Sequence, residues 1–342
     1  MAYNSSSDNS DGGLSGQNLA FMLLYSFIVI IGVPANCIII TIVRKTPSMH
    51  TTTNFLLMNL AIADLVTLLF CPGIYDFLLN QVYLDKTLGD FICKLFVGNA
   101  VVPISINVGA LTVSALAVER YLALSKPFHT RLRLSNKRVP HVVLFVWTFA
   151  ALSCIPDFLT NTIDPDPLST YPCKRPWSLD EYSNHKSFII FTGISFGIVP
   201  FAVVFFCYFE IFRGMFITNE IYSSSSEATS SQALEDQRAK KRLLKLLVSL
   251  TVLFSICTLP FSIFFIYLTA IEKDVVANNR ACLFLIHRIV RYLLNANSFL
   301  NPLVYALQSS NYRNGFKTIF CCNCRTVDRN KDKPVERSCQ PV

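Results

Sequence analysis

The chain has 342 residues, 52% hydrophobic and only 15% charged, with a mean hydropathy of +0.44. Soluble globular proteins average about 25% charged residues, so the composition excludes a pair of ordinary soluble domains and points to one polytopic membrane domain. The formal net charge of +8 sits largely on loops between apolar runs, which favours anionic lipid over nucleic acid as its partner.

Residues 1–17 are Ser, Asn, Asp and Gly with almost nothing apolar, and are expected to form a disordered N-terminus. Asn4 opens an Asn-Ser-Ser glycosylation sequon, usable if this end is extracellular. Seven apolar runs follow, at about 19–43, 55–80, 91–118, 139–160, 187–217, 243–271 and 281–307. Each approaches or exceeds the roughly 20 residues that carry a helix across about 30 Å of hydrocarbon. The first has no Lys or Arg before Arg44, so it lacks the basic lead of a signal peptide. The expected fold is an all-α membrane protein, a seven-transmembrane helix bundle over 18–308.

Loop charge sets the expected orientation. Arg44, Lys45, Arg131, Arg133, Lys137, Arg138, Arg238, Lys240, Lys241, Arg242 and Lys245 fall on one set of loops. The opposite set dilutes its Lys and Arg with Asp85, Asp90, Asp164, Asp166, Asp180, Glu181, Glu272 and Asp274. The positive-inside rule then places the N-terminus outside and the C-terminus in the cytoplasm.

The second run carries Asp64. An acid deep in a spanning helix costs roughly 2.5–3.5 kcal/mol on insertion scales, so it needs partners or a wet cavity. Asn36 in the first run and Asn301 in the seventh are the available amides. An ion or water site and a structural helix-to-helix contact both satisfy this pattern. The third run ends in Glu119-Arg120-Tyr121. Exposed, such a pair is worth under about 1 kcal/mol; under the bundle, Arg120 can be freed when helices move. Residues 218–240 form a short Ser-rich cytoplasmic loop with possible helix extensions. The seventh run packs Asn295, Asn297, Ser298, Asn301, Pro302 and Tyr305 into an otherwise apolar stretch. Pro302 removes a backbone donor and should kink the helix.

After Tyr305, Tyr312, Phe316, Ile319 and Phe320 alternate with Arg313 and Lys317. That spacing gives a short amphipathic juxtamembrane helix, 309–322, lying on the lipid surface. Cys321, Cys322 and Cys324 follow, as palmitoylation candidates or as three ligands of a zinc site lacking its fourth. Residues 323–342 are the cytoplasmic tail. Cys93 and Cys173 both fall on the outer, oxidising side. A bridge between them would close a loop of about 80 residues and stabilise by about 4–5 kcal/mol in the entropy model.

Taken in order, these residues resemble the rhodopsin-like (class A) G protein-coupled receptors, most of all the neuropeptide receptors. The resemblance rests on Gly32 to Asn36, Leu60 to Asp64, Glu119-Arg120-Tyr121, Trp147, Pro200 with Tyr208, Cys257 to Pro260, and Asn301-Pro302-Leu303-Val304-Tyr305. It covers about 18–322. It implies that Arg120 contacts a heterotrimeric G protein when the sixth helix swings outward at Pro260, with Tyr208 and Tyr305 supporting the open state. It implies a sodium and water pocket lined by Asp64, Asn36, Asn297, Ser298 and Asn301, with no other cofactor. Three positions depart from the family pattern: Thr258 stands where Trp is usual, Gly109 where Ser commonly completes the sodium site, and Lys240 where an acid can hold Arg120. With Trp absent, the relay from ligand to helix falls to Phe254 or Phe261.

The third run has no acid between Lys94 and Val118, which argues against an amine ligand, and the seventh has no Lys for a retinal Schiff base. The outer loop 161–186 mixes charge, aromatics and prolines as in peptide receptors. Asp76, His287, Arg288, Arg291 and Phe261 are the ligand-binding candidates. Arg291 lies one turn from Asn295 and should face the same cavity; an intramembrane Arg needs an anion, either Asp76 or a ligand carboxylate. An extracellular peptide is the expected ligand, an acidic lipid the alternative, and a transporter a remote one. The intramembrane groups offer no nucleophile beside a base and no paired His for a metal, so no enzyme is expected.

Overall fold

The computed structural model describes residues 16–71, 86–94, 101–126, 133–160, 162–163, 173–174, 186–214 and 230–320. The helices are α1 (Gly16–Lys45), α2 (Thr52–Leu69), α3 (Lys86–Ile92), α4 (Val101–Ser125), α5 (Val139–Ser153), α6 (Ile155–Thr160), α7 (Lys186–Gly193), α8 (Val199–Phe212), α9 (Ser230–Ala270), α10 (Lys273–Asn278), α11 (Arg280–Gln308) and α12 (Ser310–Phe320). A π-helical turn, Ile194–Ile198, joins α7 to α8. Two-residue strands β1 (Thr162–Ile163) and β2 (Cys173–Lys174) pair antiparallel.

Among the described residues, five helical stretches are long and apolar enough to cross a membrane: α1, α2, α4, α7 through α8, and α9 from Lys241. α5 is apolar but 15 residues long, and α11 is 29 residues long with the polar seam anticipated from its sequence. The burial pattern is inverted relative to a soluble protein. Leu144, Phe205, Ile256 and Ile263 lie on the outer surface, while Asn36, Asp64, Ser105, Asn295 and Asn301 are buried. In lipid this is the stable arrangement, since backbone and side-chain polar groups must find protein partners.

Close approach of small residues sets the packing. A Cβ at Gly32 would come within 2.6 Å of Leu68 and 3.4 Å of the Phe299 backbone, so glycine lets α1 lie tight against α2 and α11. Asn59 on α2 donates to Thr112 on α4 at 2.8 Å and accepts from the Trp147 indole on α5 at 3.0 Å. One amide thus ties three helices.

Several boundaries differ from the sequence reading. α1 begins at Gly16, two residues inside the stretch expected to be disordered. The fourth run is interrupted at Cys154, because Pro156 cannot continue the helical ladder and Cys154 N–H turns back to Ala151 at 3.1 Å. The sixth helix begins at Ser230, well inside the loop assigned to 218–240. Gln232 to Arg242 is rich in Ala, Leu, Gln, Lys and Arg, strong helix formers that carry the helix beyond its apolar segment. The helix in the third run extends to Ser125, beyond the expected end at 118. The amphipathic helix spans Ser310–Phe320 within the expected 309–322.

Candidate functional site

The centre of the bundle is a buried polar cluster. Asn301 Nδ2 donates to Asp64 Oδ2 at 2.8 Å, joining α11 to α2, with both residues 2–3% exposed. Ser298 lies beside the same carboxylate. Asn36 does not bond to Asp64; its Nδ2 donates to the backbone oxygens of Gly32 at 3.0 Å and Ser298 at 2.9 Å. Pro302 accounts for this geometry: the carbonyl of Ser298, four residues earlier, loses its helical donor at Pro302. Asn36 replaces that donor from the neighbouring helix. Asn297 is buried on α11, but its Oδ1 and that of Asn36 have no hydrogen-bond partner. These oxygens lie on the helices that frame Asp64. A Cβ at Gly109 would meet only Leu60, at 3.6 Å, so the family's Ser would fit at this position.

At one end of the bundle Arg120 is held within its own neighbourhood. Its Nη2 donates to Glu119 Oε1 at 2.7 Å, its Nε to Glu119 Oε2, and its Nη2 also reaches Thr53 Oγ1 on α2. Thr53 in turn donates to Glu119 at 3.3 Å. Thr53 is a partner that sequence reasoning missed. Tyr121 packs its ring against Phe206 on α8, centroids 6.0 Å apart. Arg120, Glu119 and Thr53 line a cavity of about 560 Å³ together with Arg133, Arg242 and Gln308.

Two aromatic residues flank this end. Tyr305 is fully buried and stacks on Tyr312 of α12 at 5.1 Å, with its hydroxyl unpartnered. Burial pushes the Tyr312 phenol up, so that ring stays neutral against Tyr305. Tyr208 on α8 faces Thr251 on α9, whose hydroxyl is buried without a hydrogen-bond partner. Tyr208 and Tyr305 are therefore held on separate partners. Gln308 Nε2 donates to Ser249 Oγ at 2.8 Å, linking α11 to α9 directly, a contact that no sequence motif announced. Pro260 lies inside α9.

At the opposite end a cavity of about 200 Å³ lies between α4, α7, α9 and α11. His287, Arg291, Phe261, Thr258 and Asn295 line it, which brings together three of the expected ligand candidates. Phe261 packs on Phe265 at 4.6 Å, and His287 lies against Phe264 and Phe265. Arg288 points elsewhere. Its guanidinium lies over Phe21 at 4.2 Å and donates to Asn18 at 2.9 Å, because one residue of helix rotates it about 100° from His287. Arg288 is thus a clamp onto α1 and does not line the cavity. Cys93 is disulfide-bonded, and Cys173 opposite Ile163 stands in the β1–β2 ladder. Asn4, Asp76, Cys321, Cys322 and Cys324 lie outside the described residues.

The family model of the 7 transmembrane receptor (rhodopsin family) matches residues 35–305. The chain is 26% identical over 333 residues to the Tachykinin-like peptides receptor 86C of Drosophila melanogaster, covering 94% of this chain and 62% of that protein. It is 25% identical over 322 residues to Galanin receptor 2a of Danio rerio, covering 94% and 83%. It is 28% identical over 335 residues to Galanin receptor type 1 of Homo sapiens, covering 95% and 88%. The ordered motifs, the buried acid-amide centre and this match agree: the chain belongs to the rhodopsin family of seven-transmembrane receptors.

Proposed function

We propose that this chain is a cell-surface receptor for an extracellular peptide that drives nucleotide exchange on a heterotrimeric G protein. The N-terminus and the Arg291 cavity would face outward, and Arg120 and the C-terminus the cytoplasm. The observation that carries this reading is Arg120, sequestered by Glu119 and Thr53 at the wall of a polar cavity that α9 borders. Outward movement of α9 at Pro260 would break Gln308 from Ser249, let Tyr208 and Tyr305 turn toward the gap, and release Arg120 to a G protein. An outer ligand biases this equilibrium by binding the open state better. The names of the relatives, tachykinin-like and galanin receptors, support a peptide ligand.

A bound sodium ion would be held by Asp64 and Ser298, with the unpartnered Asn297 oxygen as a further hard donor. Its role would be to hold the closed state. The Cys93 bridge would run to Cys173, since α3 packs on β1 beside the strand that carries Cys173. Arg291 at the cavity wall supports a second reading, an acidic lipid as ligand. A peptide-library screen on cells carrying a promiscuous G-protein reporter tests both: peptide-driven signalling supports the first reading, and silence to peptides with a response to acidic lipids supports the second.

A further inference from the structure

Among the described residues, Arg120 makes its one bond to another helix in the first turn of α2, to Thr53 Oγ1. No bond ties it to α9, so the α2 turn alone supplies its cross-helix hold. Thr53 is the second residue of α2, and its N–H has no intrahelical acceptor. Helix ends fray, so the place of its hydroxyl depends on what else secures the turn. The N-cap Thr51 accepts from the Asn54 N–H at 3.3 Å. A further hold comes from the turn before α5. Asn136 Nδ2 donates to the His50 carbonyl at 3.0 Å, and Asn136 Oδ1 accepts from the Thr52 hydroxyl at 2.9 Å. One amide, its orientation set by the carbonyl it meets, thus grips the chain on both sides of Thr51.

The turn that carries Asn136 is itself anchored. The N–H groups of Arg138 and Val139 close on the Ser135 carbonyl at 2.8 and 3.2 Å, and Leu134 packs on the main apolar core. Pro140 pre-sets the backbone at the start of α5. Thr52 and Thr53 are successive, so about 100° of helix rotation turns one toward Asn136 and the other toward Glu119 and Arg120. We propose that Asn136 is a positioning residue for Arg120: through Thr52 it holds the first turn of α2 where the Thr53 hydroxyl meets the guanidinium. The proposal rests on the reading of Arg120 as the group a G protein engages. It gives the closed state a second hold, separate from the contacts of α9.

The test is agonist-free nucleotide exchange on a panel of heterotrimeric G proteins, measured with purified full-length receptor and expressed per folded molecule. Asn136→Ala and Thr52→Val should each raise basal exchange about two- to tenfold, the change that one neutral bond lost from the closed state allows. Thr52→Ser keeps the hydroxyl and should stay within about twofold of the wild type. In a Thr53→Val background the Arg120 bond is already gone, so adding Asn136→Ala should change exchange by less than about 1.5-fold. A merely structural role would lower the unfolding midpoint and leave exchange per folded receptor unmoved. If Asn136→Ala does not fold, Thr52→Val decides. Unchanged or lower exchange in Asn136→Ala, a rise there without one in Thr52→Val, an equal rise in Thr52→Ser and Thr52→Val, or a full effect of Asn136→Ala in the Thr53→Val background overturns the proposal. Two controls separate it from the reading beneath it. If Thr53→Val raises exchange and Arg120→Ala abolishes it while Asn136→Ala does nothing, the positioning role alone falls. If neither control moves exchange, the reading of Arg120 falls as well.

Discussion

The two cavities at opposite ends of the bundle share helices and differ in chemistry. The one proposed to face outward holds about 200 Å³ and is walled largely by apolar side chains, with His287 and Arg291. The inner one holds about 560 Å³ and is walled by hydroxyls, Glu119 and three arginines, with Arg120 already bonded within it. The inner site has its bonds made, so under the proposed function a partner would enter only after they break. Between the two lies the Asp64–Asn301 bond, through which, under the proposed function, repacking at one end would reach the other.

The largest expected effect tests the inner end. Arg120→Ala should leave surface expression intact and reduce agonist-driven exchange to background; normal signalling from this variant would break the contrast between the two ends. Tyr305→Ala comes next. Removing a fully buried aromatic side chain should cost about 3–5 kcal/mol, read as a lower unfolding midpoint in detergent. Tyr305→Phe should unfold like the wild type, since the hydroxyl has no partner here, yet should signal less well if the open state uses that hydroxyl.

Asp64→Ala sharpens the comparison at its centre. It leaves the Asn301 amide buried without its acceptor, a loss of about 1–3 kcal/mol, measured as thermal stability of the purified receptor. The same variant should weaken the coupling between outer ligand binding and inner G-protein binding. The smallest effect is expected for Gln308→Ala, which removes one neutral bond between α11 and α9. A loss of about 0.5–1.5 kcal/mol from the closed state alone raises basal exchange about two- to tenfold.

Much of this was legible before the fold was known, for reasons that differ by residue. Asp64 and Asn301 could be matched because an acid in hydrocarbon has few affordable partners, and the sequence offered only a few amides at that depth. Asn36, the other amide available to Asp64, donates elsewhere. Its partner is a backbone carbonyl freed by Pro302, which depends on how tightly Gly32 lets α1 approach. Arg288 was placed with His287 and Arg291 from proximity in sequence, but helical rotation separates it from them. Helix extensions into 218–240 are expected but their start at Ser230 is not, because apolar runs mark where lipid ends and say nothing of where helix ends. Thr53 and the Gln308–Ser249 bond carry no composition signal, since ordinary polar residues at helix ends are the rule.

The most direct test follows the distance from the turn before α5 to α9. Reporter probes at exposed Lys137 in that turn and Lys245 on α9 report it, measured with and without a panel of nucleotide-free G proteins. A partner that binds only the open form must populate it by linkage. The expected result is a lengthening of about 5 Å or more, more than half the spacing of packed helices, abolished by Arg120→Ala. A distance that stays unchanged with every G protein of the panel would contradict the outward movement of α9 on which the proposed function depends.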